Sequence, residues 1–469
     1  MIINMECDVL VLGAGPAGSC AARFLAEKNL NVILVEQHKR KDVGKKVCGE
    51  GLTTIGLKRA GLYPPPKGLC SQYLSSGQLI SPNKQTRIPL IFGQKDGYAI
   101  DRNVFGQLLI QKAEQAGAKI LFDSTAGDLI WENSKIHGAV INEKPIYAKA
   151  VIVATGMSAF RFKTPAGQSL ANKDVYVCYR ERILVDKHES INPEHAYIYL
   201  NQRICPGGYI WYFPLGFKDN KLFVNFGLGV QGSKPEAKNT SLKELLDRFR
   251  KDNPELFKNY ELFNASDSFN ASGGIVPIRH VLESLADVKE NEPTGLIYAG
   301  DVGSTVDPIH GGGMRYSMDS AFYLAEPVAE FIKTKDYSKL WQYNLDYIKN
   351  LGGSKQGAEY IFSRALQTAS DEEINLLMKI VLDSTDIEAL ISGQGYNFEK
   401  AKILGKLAKL ALAGSEGRKA LHRLFWAYSF SKKIKKLYAD YPAEPKHLDA
   451  WSQKLCSLLS DYQQKLSKI

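Results

Sequence analysis

No stretch of the 469-residue chain holds the ~20 successive apolar residues that a membrane-spanning helix requires. The opening run MIINMECDVLVLGAG lacks a basic stretch, an apolar core and a cleavage site, so no secretory signal is expected and a cytoplasmic protein is. Cysteine is scarce: there are 7, an odd number, dispersed and without a C-x-x-C pair. That spacing argues against a disulfide framework and against a zinc site, so no metal is expected and a reducing compartment fits. Zinc-finger spacings and an RNA-recognition signature are missing too. The net charge of +10 is therefore assigned first to a lysine-rich solvated surface, and no nucleic-acid partner is expected. Internal repeats and long low-complexity tracts are also absent.

What is present begins with an ordinary globular composition, 44% hydrophobic and 23% charged, which permits a large core and roughly two or three domains. The segment CDVLVLGAGPAGSCAARFLAEKNLNVILVEQ (7–37) reads as strand, tight turn, helix and strand, its β-branched runs typical of buried parallel strands. Residues 69–100 look like short strands, and 101–121 a helix closed by Gly117 and leading into a strand. A meander follows at 128–141 and a buried strand at 149–156. From about 175 to 280 the pattern is mostly strand, interrupted by the helical SLKELLDRFRKDNPELF. GLIYAGDVGS (295–304) returns to the buried-strand style, followed by a glycine-rich loop and a helix. Beyond 336 the chain is lysine-rich and helical.

Gly13-Ala-Gly15-Pro-Ala17-Gly18 spells G-x-G-x-x-G between a strand and a helix. Gly13 permits the tight turn, Gly15 lets backbone approach a pyrophosphate, and Gly18 lets helix and sheet pack closely. The helix N-terminus then faces anionic phosphates. Glu36 ends the second strand, where a carboxylate accepts from a ribose hydroxyl. Asn29 stands after the helix where glycine is common, and asparagine tolerates the left-handed conformation.

Two further features choose the nucleotide. Asp101-Arg102 opens a helix after a strand, and GDVGSTVDPIHGGGM (300–314) comes late in the α/β part. This order resembles the flavoprotein superfamily that includes p-hydroxybenzoate hydroxylase. The resemblance implies FAD, with Asp301 on the ribitol, Arg102 at the start of the middle helix, and Gly311, Gly312 and Gly313 near the flavin N1/C2 oxygen. A positive helix end there would stabilise the negative charge of a reduced flavin.

PGGYIWYFP (206–214) then narrows the family. In a strand, Tyr209, Trp211 and Phe213 share one face. The run matches P-x-x-Y-x-W-x-F-P, and the chain resembles the geranylgeranyl reductase family in it. A second shared feature is Cys48-Gly49-Glu50-Gly51, shortly after the second strand. Two positions depart from the family pattern: Leu215 where a lysine often follows the final proline, and Glu50 between the glycines.

The resemblance implies an α/β fold: a Rossmann-type FAD-binding domain (1–68, 98–174 and 285–335), an inserted mostly antiparallel β substrate domain (69–97 and 175–284) and a helical C-terminal domain (336–469). It implies an enzyme that saturates the double bonds of isoprenoid lipids, with hydride from reduced FAD. Tyr209, Trp211 and Phe213 would wall an apolar tunnel, since burial must supply the binding of a chain without polar handles. Cys48 is also expected beside the flavin, with Gly49. Candidates for proton donation or cation stabilisation are Cys48, Tyr209 and Trp211. The electron donor is a ferredoxin-like protein or transiently bound NAD(P)H, because no second G-x-G-x-x-G occurs. Residues 401–437 mix leucine and lysine at helical spacing, which fits either a peripheral membrane contact or helices packed on the body. Two other functions compete: a flavin monooxygenase or halogenase of the same superfamily, and a non-catalytic flavin-bearing lipid carrier. Against the halogenase, its W-x-W-x-I-P is met here by Tyr209 and Phe213 at the first Trp and the Ile.

Overall fold

The β-branched run at the start forms the strand Met5–Leu12, whose Val9, Leu10, Val11 and Leu12 are fully buried. The computed structural model describes residues 5–91, 97–157, 174–288, 294–383 and 400–469. Residues 92–96 and 384–399, inside stretches expected as strand and helix, lie outside it, as do 158–173 and 289–293 of the expected FAD-binding segments.

Met5–Leu12 pairs in parallel with Val32–Val35 on one side and with Lys144–Val153 on the other. Lys119–Leu121 extends the sheet beyond Val32–Val35. Lys144–Val153 pairs antiparallel with Lys135–Ile141 in its first half and parallel with Leu296–Tyr298 in its second. The helix Pro16–Ala26 lies on this sheet, burying Ala17, Gly18, Ala21, Ala22 and Leu25. The helix Met314–Thr334 packs beside it, with Phe24 and Phe322 edge to face at 5.8 Å. Asn29 does take the left-handed conformation, at φ 62°.

A second sheet runs in the order Glu261–Leu262, Val175–Val185, Lys221–Gln231, Tyr209–Lys218, His195–Tyr199, Ser76–Ile80, Arg87–Ile91. Ala271–Pro277 pairs with Val175–Val185 as well. The pairings are antiparallel except that of His195–Tyr199 with Ser76–Ile80. Its outer face, with Ile210, Tyr212, Phe226 and Leu228, is covered by Leu245, Leu246 and Phe249 of the helix Leu242–Lys251. That helix stops short of the sequence expectation because Pro254 begins a separate short turn at Pro254–Phe257. A small sheet of Gly51–Thr53, Gly97–Ile100 and Cys70–Leu74 lies against Tyr209–Lys218 of the second sheet.

The C-terminal helices close the other face of the second sheet. Stretch 401–437 is not one helix: Gly414, at φ +84°, separates Lys400–Leu412 from Gly414–Ala439. The longer helix buries Ala420, Ala427, Phe430, Ile434 and Tyr438 against the body.

Candidate functional site

At the end of the first strand, Gly13 turns the chain at φ +99° and donates its N–H to Val35 O at 2.7 Å. A Cβ on Gly18 would stand 1.8 Å from Gly13 O, so helix and turn can meet only with glycine there. A Cβ on Gly15 would meet nothing, which leaves open space before the helix N-terminus. Glu36 Oε2 accepts the Ala14 N–H at 2.8 Å and Oε1 accepts from His38 N at 2.9 Å. The carboxylate is thus held at the rim of the same space.

Asp101 caps the helix Arg102–Gln115 by accepting from Asn103 and Val104 N–H, and this aims Arg102 inward. The Arg102 guanidinium is buried beside Cys48, and its Nη1 has no partner among the described residues. Burial pulls its pKa down; Cys48, Glu50 and Asp301 partly offset this. Asp301 follows the left-handed Gly300 and receives Lys46 Nζ at 2.8 Å. Gly311 to Gly313 lead directly into the helix Met314–Thr334, whose N-terminus opens on the same cavity.

The Cys48 loop is tied to the aromatic strand by groups the sequence did not single out for this. Glu50 is fully buried at φ +64°, and its carboxylate is clamped by Arg182 through Nη2 and, at 3.2 Å, through Nε. Asn225 Nδ2 donates to Cys48 O and to Glu50 Oε2, both at 2.8 Å, while Trp211 Nε1 donates to Asn225 Oδ1. Cys48 Sγ accepts the Glu50 N–H at 3.3 Å. Phe213 lies over Gly49, where a Cβ would come within 3.0 Å of its ring.

Tyr209, Trp211 and Phe213 do share one face, and all three line the cavity. The Trp211 ring packs against Gly227, whose Cβ would stand 2.3 Å from it. The Tyr209 hydroxyl donates to His310 O, and burial pushes its pKa well above the ordinary phenol value. Cys205, for which the sequence offers no role, is a buried thiol donating to Gly229 O at 2.8 Å.

These parts border one continuous cavity of about 1120 Å³. One end is the glycine turn, Glu36 and Asp301; the middle is Cys48, Arg102 and the aromatic strand. The far end is aliphatic. Leu79, Leu90 and Ile198 extend the aromatic face across the sheet, and Leu366, Met378 and Leu424 roof it from the C-terminal helices. No local motif marks this end: Leu79, Leu90 and Ile198 stand in short apolar-rich strands like those of any buried or half-buried sheet.

Two buried polar atoms bordering the cavity, Arg102 Nη1 and Thr155 Oγ1, lack partners within the described chain, and the space before Gly15 suits a pyrophosphate. The residues fit FAD, and the chain is an FAD-dependent oxidoreductase of the α/β class. A family model for the geranylgeranyl reductase catalytic domain matches residues 174–268, and one for pyridine nucleotide-disulphide oxidoreductases matches 7–198. The digeranylgeranylglycerophospholipid reductase of Sulfolobus acidocaldarius is 32% identical across 99% of this chain and 100% of that protein. That of Thermoplasma volcanium is 30% identical across 82% of this chain and 94% of its own length. The crystal structure of a geranylgeranyl bacteriochlorophyll reductase-like protein from Thermoplasma acidophilum superposes with TM-score 0.72 at 28% identity, covering 86% of this chain and 99% of that one. A flavin-dependent brominase shares the fold, with TM-score 0.62 at 16% identity. The chain belongs to the geranylgeranyl reductase family.

Proposed function

We propose that this protein saturates the isolated double bonds of geranylgeranyl chains carried on glycerophospholipids. The carrying observation is the single cavity that joins the nucleotide cradle to an aliphatic chamber across the Tyr209, Trp211 and Phe213 face. When bound, FAD supplies the hydride. Gly13 to Gly18 and Glu36 would hold its adenosine and pyrophosphate end, and Asp301, Arg102 and the Gly311–Gly313 turn its flavin end.

The chain's own contribution is threefold. The chamber binds an isoprenoid by burial, at about 25 cal/mol per Å² of apolar surface. Trp211, fixed by Asn225, presents a rigid aromatic surface to cationic character on the alkene. Helices from the C-terminal part roof the aliphatic chamber, which keeps water from the reacting carbons.

Electrons would come from a ferredoxin-like protein or from transiently bound NAD(P)H. A peripheral contact with the membrane would let the lipid enter. It is supported by the exposed Leu404, Leu412 and Phe425, which stand 67%, 86% and 57% accessible on the lysine-rich helices Lys400–Leu412 and Gly414–Ala439. No described helix is long and apolar enough to cross a membrane.

The deciding experiment is mass spectrometry of an anaerobic mixture of dithionite-reduced protein and a geranylgeranyl ether lipid. Products each heavier by two hydrogens are expected. An unchanged lipid would sink the proposal.

A further inference from the structure

Behind the Gly311–Gly313 turn lies a group of ionisable side chains that neither the nucleotide cradle nor the aliphatic chamber employs. Asp307 follows the Gly300–Asp301 turn, and Glu359 comes from the helix Gly353–Gln367. Both are buried, at 1% and 3% exposure, and close enough to share a hydrogen bond. Lys355 reaches Glu359 Oε1 at 3.4 Å, while Oε2 finds no donor among the described residues. Two buried carboxyls in contact cannot both carry charge cheaply, and one shared proton provides the missing donor. Burial opposes the charge on Asp307, yet His310 and Lys355 outweigh it and bring that group down to about 2. Burial, then the charge of Asp307, pushes Glu359 well above the ordinary carboxyl range.

The pair has a route to the cavity. Lys355 Nζ stands 3.4 Å from Glu359 Oε1 and donates to the Tyr316 hydroxyl. Lys355 and Tyr316 both line the cavity, and Tyr316 sits in the first helical turn after the glycines. His310 links Asp307 to the turn: its Nε2 is 3.0 Å from Asp307 Oδ2, and its Nδ1 accepts the Gly312 N–H at 3.1 Å. It braces the turn. Arg315 and Asp319, on the Tyr316 helix, are the remaining charges felt by the phenol, which burial keeps protonated.

We propose that Asp307 and Glu359 hold one proton between them, and that this pair, through Lys355 and Tyr316, is the proton store for alkene reduction. The proposal rests on the reductase function above. The hydride, with its electron pair, makes one new C–H bond. The alkene π pair takes the Tyr316 proton to make the other. Lys355 restores the hydroxyl, Glu359 restores Lys355, and solvent returns one proton to the carboxyl pair. Each bond saturated consumes one hydride and one proton.

The test is infrared spectroscopy of the FAD-loaded full chain in H₂O and D₂O at neutral pH, on wild type and Glu359→Gln. Wild type is expected to show a carboxylic-acid C=O band that shifts in D₂O, and Glu359→Gln to lack it. Tyr316→Phe is expected to keep the band while reducing the geranylgeranyl ether lipid roughly 10²-fold more slowly, with dithionite reduction of its flavin unchanged. A wild type without the band, a band surviving in Glu359→Gln, or wild-type turnover and pH profile in Tyr316→Phe overturns the proposal. A wild type that shows the band but reduces no lipid removes the function above and proton delivery with it, leaving the shared proton itself established.

Discussion

Trp211 and Asn225 are joined by a 2.8 Å hydrogen bond from the indole Nε1 to the carboxamide oxygen, and the same carboxamide donates to Cys48 O and Glu50 Oε2. One side chain thereby fixes the aromatic wall and the cysteine loop relative to each other.

Asn225→Leu should expose that dependence. It takes the partner from the Trp211 N–H and from Cys48 O, at a cost of about 1–3 kcal/mol for each orphaned group, and leaves Glu50 Oε2 with Arg182 alone. The urea midpoint is expected to fall, and turnover to fall further than stability alone explains, because Cys48 and Trp211 lose their common brace. Turnover measured well below the unfolding midpoint checks this; an unchanged rate there would mean the brace has no part in the reaction.

The glycine turn makes a second prediction. Gly18→Val puts side-chain atoms where even a Cβ would stand 1.8 Å from Gly13 O. The turn must open and the pyrophosphate cradle with it. A loss of at least ~1.4 kcal/mol corresponds to about tenfold weaker FAD binding. Flavin absorbance of the purified variant during FAD titration reads this directly. Wild-type affinity would show that the helix can shift without disturbing the cradle.

Much of this nucleotide end was legible because its chemistry sits on few residues at fixed spacing. Gly13, Gly15, Gly18 and Glu36 lie within one strand–helix–strand unit, and Tyr209, Trp211 and Phe213 within one strand. Glu50 and Asn225 stand 175 residues apart, so no local pattern couples them. Glu50 looked like a departure between glycines; only the fold reveals Arg182 waiting for its carboxylate. The aliphatic end escaped for a different reason. Leu79, Leu366 and Leu424 come from separate elements, and an apolar residue lining a cavity has the same local pattern as one filling a core.

Acid should weaken the fold through His280. Burial, then the charge of Arg279, lowers its pKa to about 4, while the ring stands 2.9 Å from Val281 O and 3.3 Å from the Tyr438 hydroxyl. The unfolded chain therefore binds a proton on this residue at a higher pH than the folded one. Its contribution is fully present above the unfolded value near 6.5 and is lost as pH falls towards about 4. Between pH 7 and pH 5 the loss is about 2 kcal/mol, and His280→Asn is expected to remove that part of the slope. Urea denaturation of both proteins at the two pH values settles it; parallel slopes would rule His280 out.

Membrane contact gives the last prediction. Leu412 and Phe425 are 86% and 57% exposed on neighbouring helices. Leu412→Glu with Phe425→Glu should leave the melting temperature within a degree or two, since exposed positions contribute about 0.5 kcal/mol or less. Sedimentation with anionic vesicles should drop severalfold. Equal sedimentation would place the lipid entry elsewhere.

The strand Tyr209–Lys218 divides its labour by parity. Odd positions Tyr209, Trp211 and Phe213 meet the cavity, and even positions Ile210 and Tyr212 are locked into the hydrophobic cluster behind. Selection can therefore retune the lining one residue at a time while the scaffold stays put. A lineage facing a different lipid can change the middle of the lining through the odd positions, and the aliphatic end through residues of other elements such as Leu79 and Leu366.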